Sequence, residues 1–256
     1  MKYALVNLQR KEAEPKEIGI CICCGNNVRA YCGKLRVNHW KHINLLECDT
    51  WYERETEWHR EWKNNFYDFQ QEFIKYDNIT GEKHIADIYI KSKNLVIEFQ
   101  HSPITIDEIL SRERFYKKMV WVIDLKKYLK NIILFENIAE EFAENVEYPW
   151  AVNQDAKYRR LKKEGKLDEA EKLRKDNSGW YYLQSFEQKY AQYSYKENYF
   201  LMVWKYQHKR WDKTAMPMFF DLDDIYIYLC IDSVKISNAF IVKRFLKEEF
   251  IRHYKS

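Results

Sequence analysis

The sequence predicts an α/β fold: a mixed sheet in the order α-β-β-β-α-β, flanked by helices and preceded by a small cysteine-rich head. Three observations predict it. Residues 84–102 read as two short apolar strands joined by a polar turn at Lys91–Asn94. A stretch free of Gly and Pro, with aromatic residues at helical spacing, precedes that pair; a capped helix and an apolar strand follow it. Five of the six cysteines fall within the first 48 residues.

The whole chain sets the bounds. At 256 residues it can bury one large core, or a main domain plus a small module. No apolar run approaches the roughly 18–20 residues of a membrane span. The first residues lack the apolar core of a signal peptide, so a cytoplasmic protein with no membrane partner is the expectation. Six Gly and four Pro against 20 Tyr and nine Trp argue against long disordered tracts. The net charge of +4 resides entirely in residues 1–48, a modest basic excess that suits a polyanion.

Residues 1–48 are expected to form a zinc-ribbon-like module and residues 49–256 the main domain. Clustered cysteines in a reducing compartment point to metal rather than disulfide. Cys21 and Cys24 form a C-x-x-C pair, and His39 and His42 an H-x-x-H pair. Together the four complete a tetrahedral Zn²⁺ site with no open position, which makes the zinc structural. Cys23 can replace either neighbouring cysteine, and Cys32 or Cys48 can replace a histidine. So short a segment is expected to need the metal in place of a core of its own.

A long helix is expected from Trp51 to about Gln71, with Asp49 or Thr50 as N-cap and Trp51, Trp58, Trp62, Phe66 and Phe69 as its buried stripe. Glu55, His59 and Lys63 lie on one face of it at i, i+4 and i+8, a spacing that equally fits a solvated salt-bridge row. A short apolar run, Phe73–Tyr76, leads through a turn near Gly81 to strands at about His84–Ile90 and Asn94–Gln100. With Ser92 and Lys93 at the turn, Ile90 faces Leu95 and Asp87 falls opposite Glu98. Opposed residues of an antiparallel pair sit roughly 4.5–5.5 Å apart at Cβ, so these two carboxylates repel unless a cation or a proton lies between them. Gln100, two residues on, shares their face. Thr105 and Glu108 form a capping box for a helix through Arg112 and Tyr116, and Met119–Leu125 is a strand reached by a crossover.

The C-terminal half is less explicit. Residues 155–176 read as two short charged helices divided at Gly165. Segments from Tyr199 and around Met218–Leu229 read as strands that extend the sheet, with Asp221, Asp223 and Asp224 forming a hairpin turn. Residues 238–254 read as an amphipathic helix.

Taken together, C-x-x-C then H-W-x-H, Glu55-Thr56-x-x-His59-x-x-x-Lys63, Ala86-Asp87, Glu98-Phe99-Gln100-x-Ser102-Pro103-Ile104 and Arg112-x-x-x-Tyr116 resemble the PD-(D/E)XK nuclease superfamily. Within it they resemble the CoiA-like competence proteins, over about residues 20–122. The resemblance implies a restriction-endonuclease-like core that hydrolyses DNA, RNA not being excluded. It implies that Asp87 and Glu98 hold Mg²⁺ or Mn²⁺, with Glu55 approaching the ion directly or through water. His59 would orient Glu55 or touch the scissile phosphate, and Gln100 stands where the superfamily has a lysine. Gln100 can orient a water but cannot act as a base near pH 7. Arg112, Ser102 and Lys63 are the candidate nucleic-acid contacts, although Arg112 can instead pair with Glu108 one turn earlier. The alternatives are a nuclease-fold accessory protein in recombination or competence, or a nuclease component of a defence or mobile-element system. Either fits a DNA-processing complex with a protein partner.

Overall fold

The computed structural model describes residues 1–34, 36–44, 48–51, 55–138, 157–158, 160–175, 189–194, 196–205, 211, 213–233 and 239–255. The chain divides into two compact units. One comprises Met1–Asp124, Lys213–Phe219 and Lys247–Ser256; the other comprises Leu125–Asp212 and Phe220–Leu246. The architecture is mixed α/β, and no helix among the described residues is long and apolar enough to cross a membrane.

The first unit opens with an antiparallel five-stranded sheet. Its strands are β1 (Tyr3–Val6), β2 (Gln9–Glu12), β3 (Ile18–Ile20), β4 (Asn27–Gly33) and β5 (Arg36–His42), in the order β2-β1-β3-β4-β5. β4 alternates as a half-buried strand should, with Val28 and Ala30 inward and Arg29 and Tyr31 outward. Contrary to the expectation that metal must stand in for a core, the head has one. Trp40 is fully buried among Ala4, Ala13, Val28 and Ala30, and Ile74 and Ile85 pack against that cluster. The indole of Trp40 satisfies its N–H on the Lys11 carbonyl at 3.0 Å.

The remainder of this unit carries β6 (Gln71–Tyr76), β7 (Lys83–Ile90), β8 (Leu95–Gln100) and β9 (Met119–Asp124), adjacent in the order β9-β8-β7-β6. β6, β7 and β8 are antiparallel and β9 runs parallel to β8, with helix α2 (Ile106–Tyr116) as the crossover. Every residue of β8 and β9 is buried, as expected of strands covered on both faces. The β7–β8 connection has the anticipated register, Ile90 opposite Leu95. A 3₁₀ turn at Lys91–Lys93 closes on Asn94 at φ 46°, a left-handed position that Asn tolerates. Thr105 caps α2, its hydroxyl accepting from the Glu108 N–H.

The long helix expected from Trp51 is replaced by a short one, α1 (Glu57–Asn64), followed by a 3₁₀ turn at Asp68–Gln70. Its N-cap is Thr56, whose capping box is closed by the His59 side chain. Residues 52–54 of the expected helix lie outside the described residues. Phe66 is buried beyond the helix end, whereas Phe69, at 71% exposure, belongs to no stripe. Residues 238–254 are not one helix either: Ala239–Leu246 is strand β14, and only Lys247–Lys255 is helical (α4). Phe250 of α4 meets Trp62 and Phe219 edge-on.

The second unit contains β10 (Ile132–Phe135), β11 (Tyr199–Trp204), β13 (Tyr226–Ser233) and β14, antiparallel in the order β10-β11-β14-β13; β12 (Met218–Asp221) begins in the first unit and ends in the second. Leu201, Val203, Ala239 and Ile241 form its core with Ile138 and Tyr190. Helical residues lie on both sides of Gly165 (φ 74°), the latter as α3 (Leu167–Lys175). Asp221 and Asp224 accept backbone N–H bonds from Asp223 and Tyr226, so the three acids form the turn rather than a metal site.

Candidate functional site

In the head, Cys21, Cys24, His42 and Cys48 bring their donor atoms within 4.8 Å of one another. The Cys21 and Cys48 sulfurs are 3.7 Å apart, and Cys24 Sγ lies 3.3 Å from His42 Nε2. Thiolates bound at about 2.3 Å in tetrahedral array stand about 3.7 Å apart, so this donor set fits zinc. The knuckle depends on Gly25 at φ 75°, which closes the turn by donating its N–H to the Cys21 carbonyl. The expected ligand His39 is not part of the group. It lies on β5 three residues before His42, and an odd spacing on a strand sends the two side chains to opposite faces. His39 stacks on Tyr31 and directs Nδ1 to the Val37 carbonyl; Cys48 takes its place. The Cys21 thiol is pushed up to about 12 by its hydrogen bond to Cys48 and by burial, and the Cys48 thiol also reaches about 12. Binding metal must therefore release their protons.

A second constellation lies on β6, β7 and β8. The pairs Gln71–Ile88 and Phe73–Ala86 bracket Glu72 and Asp87, and the β7–β8 ladder ends at Ile88–Ile97, one residue short of Asp87 and Glu98, so three acids stand in a row on neighbouring strands. The ladder gives way there to side-chain bonds. The Asp87 N–H donates to Glu98 Oε1 at 3.2 Å, and the Phe99 N–H to Asp87 Oδ2 at 3.0 Å. Glu72 sits at φ 46°, a strained position for a glutamate, and accepts the Lys2 and Tyr3 N–H groups.

Each remaining carboxylate oxygen meets a cation. Lys63 of α1 is buried with Nζ 2.9 Å from Asp87 Oδ1 and 3.5 Å from both Glu55 Oε1 and Glu72 Oε1. Arg112 of α2 reaches Glu98 Oε2 at 3.0 Å and also binds Glu108 and the Trp51 carbonyl. Burial works against the Lys63 charge, but Asp87, Glu55 and Glu72 hold its pKa well above the usual lysine value. Glu72 falls to about 2 because Lys63 and the two N–H groups outweigh its burial. Glu98 goes the other way. Burial and the Asp87 charge push it up to about 8, more than Arg112 can offset.

Asp87, Glu98, Glu55, Lys63 and Arg112 line a cavity of about 70 Å³, space for an ion with water. Glu55 Oε1 is buried there and accepts no hydrogen bond. The three carboxylates offer hard oxygens and, at Glu55, an unused acceptor, and so fit Mg²⁺ or Mn²⁺ chemically.

The other expected site residues are placed as follows. His59 sends Nε2 to the Phe99 carbonyl at 2.9 Å and Nδ1 to Thr56. A carbonyl only accepts, so Nε2 carries a hydrogen there, while the Thr56 N–H donates to Nδ1; the ring braces the end of β8. Gln100 is buried and donates from Nε2 to the Ser102 carbonyl at 2.9 Å. Ser102 is exposed and lines a wider cleft with Gln100 and Arg112. Lys63, expected at the nucleic acid, is instead the buried counter-ion of the acids.

Glu72 was not foreseen. Its signal is a polar Gln71-Glu72 pair opening a strand that then turns apolar at Phe73-Ile74. Nor was the buried Asp49, which accepts from Trp51 N–H and Ile85 N–H and contacts His84 Nδ1 at 2.8 Å.

Comparison with known families returns a nuclease-like domain over residues 55–152. That domain is the one of competence protein CoiA, and the match, which begins at Glu55 and includes Glu72, Asp87 and Glu98, supports the CoiA-like family for this segment. No curated protein and no solved structure matches the chain.

Proposed function

We propose that the chain is a divalent-metal-dependent nuclease that hydrolyses DNA phosphodiester bonds, with Asp87, Glu98 and Glu55 holding Mg²⁺ or Mn²⁺ on a PD-(D/E)XK-type core. The observation that carries this reading is the Glu72-Asp87-Glu98 row facing Glu55 within a CoiA nuclease-like segment. A divalent ion bound there supplies an activated water and neutralises charge on the phosphoryl oxygens. The chain's own residues supply orientation. Backbone N–H groups fix one oxygen of Asp87 and one of Glu98, leaving Asp87 Oδ1 and Glu98 Oε2 for cations. Zinc on Cys21, Cys24, His42 and Cys48 would be structural, since the four donors leave no open position.

One feature favours a second reading, a nuclease-fold accessory protein that binds DNA without cutting it. Lys63 and Arg112 already pair with Asp87 Oδ1 and Glu98 Oε2, and the Gln100 amide nitrogen donates to the Ser102 carbonyl. Plasmid and single-stranded DNA incubated with Mg²⁺ or Mn²⁺ separate the two. Wild type should cut, and Asp87→Ala and Glu98→Ala should lose about 10²-fold or more in rate. Equal cutting by all three proteins would remove the assigned site; intact DNA binding with no cutting by any would establish the accessory reading.

A further inference from the structure

We propose that the cleft between the β4–β5 hairpin and the Ser102–Pro103 loop holds one nucleic-acid strand, with Lys34 and Arg36 as its phosphate contacts. This rests on the nuclease reading and extends its substrate site into the head. The cleft measures about 810 Å³ and runs from Lys34 and Arg36 at the hairpin to Gln100, Ser102 and Arg112. Sites of roughly 300–1,000 Å³ enclose a small ligand, so this space takes a short stretch of one strand.

The cations nearer the acids are committed elsewhere. Lys63 is buried on Asp87, Arg112 is held by Glu98 and Glu108, and Arg60 bridges Glu12 and Glu55. Lys34 and Arg36 are exposed, and among the described residues neither has an acidic partner. They therefore give up no internal ion pair to meet a phosphate, and the hairpin fixes them on the same cleft as the carboxylate site.

The same cleft also presents Glu55, Glu57 and Glu108. These repel a polyanion, so the strand binds well only when a divalent cation neutralises the neighbouring acids. Binding should thus be stronger with Ca²⁺ than with EDTA, while Lys34 and Arg36 set its salt dependence.

The test is fluorescence anisotropy of a labelled oligo-dT with the full chain across a salt series, in Ca²⁺ and in EDTA. Wild type is compared with Lys34→Gln/Arg36→Gln, whose zinc content and melting should match it because both side chains are exposed. Each single-strand phosphate contact contributes about 0.7 to the slope of log K against log salt, so the double variant should be shallower by about 1.4. Equal affinity and slope would overturn the proposal, as would a wild type that binds no oligonucleotide or binds equally in Ca²⁺ and EDTA. The two readings fail separately. A double variant that binds like wild type, while Asp87→Ala alone abolishes cutting, overturns the cleft only. A shallower slope with no Asp87-dependent cutting overturns the nuclease reading only.

Discussion

Replacing Lys63 with Met tests what holds the acid row together. Lys63 Nζ lies 2.9 Å from Asp87 and 3.5 Å from both Glu55 and Glu72, and its side chain is only 5% exposed. At an effective dielectric near 20, each contact is attractive by ~4–6 kcal/mol. These energies do not sum to the cost, because Met also removes the penalty of burying the ammonium, and the stranded acids can take up protons. Breaking a buried pair by deleting one partner costs ~3–5 kcal/mol, and Lys63→Met should lose that much in EDTA at neutral pH. A divalent ion offers the same acids another cation. At 100 times its Kd a ligand bound only by the folded state adds ~2.7 kcal/mol, so Mn²⁺ should restore much of the loss and stabilise the variant more than wild type. Urea unfolding followed by tryptophan fluorescence, with EDTA and then with Mn²⁺, gives both quantities. A variant as stable as wild type in EDTA, or one that gains no more from Mn²⁺ than wild type, would refute the assignment of Lys63 as the resident counter-ion.

Two further outcomes concern the Cys/His group and the acid row. Elemental analysis should find about one zinc per chain; Cys48→Ser should lose it and His39→Gln should keep it, and zinc loss from His39→Gln would reverse the ligand assignment. The second outcome concerns Glu98, whose pKa in the folded metal-free protein is about 8 against 4.5 for the ordinary carboxyl. The folded state therefore holds a proton that the unfolded state releases. The stability this gives is complete below about pH 4.5 and disappears as pH rises through 8. A divalent ion needs the carboxylate, so Mn²⁺ affinity measured by calorimetry should climb from pH 6 to 8. An affinity independent of pH over that range would exclude Glu98 as a ligand.

What the sequence disclosed tracks how local each signal was. The register of β7 on β8 was legible because one turn fixes it, Ile90 facing Leu95 as expected, and where the ladder ends Asp87 and Glu98 meet through backbone-to-carboxylate bonds. The H-x-x-H pair misled because ligand spacing depends on the element beneath it: on a helix turn His39 and His42 converge, on strand β5 they diverge. The expected helix from Trp51 to Gln71 rested on aromatic spacing. Trp62 and Phe66 do share the core, but Phe66 reaches it from beyond the helix, and α1 starts only where Thr56 and His59 cap it. Ala239–Leu246 was mistaken for helix because a strand with strands on both sides buries consecutive residues and shows no alternation. Glu72, Lys63 and Arg112 meet across long sequence separations, and no spacing rule encodes such a meeting.

The acid row poses a physical question that stability alone does not answer. Three carboxylates on adjacent strands, relieved by Lys63 and Arg112, are a costly way to build a sheet. Buried ion pairs are commonly matched or bettered by apolar residues of similar volume. Here the cost is visible in three places: Glu72 takes a left-handed backbone conformation, Glu98 is driven to about 8, and Glu55 Oε1 accepts no hydrogen bond. Strain and displaced pKa values gathered at one cavity are the pattern of a site shaped for a ligand. Lys63 and Arg112 then have a defined part in the metal-free protein. They hold the carboxylate oxygens in position, and on the proposed reading a divalent ion would meet a set of ligands already in place.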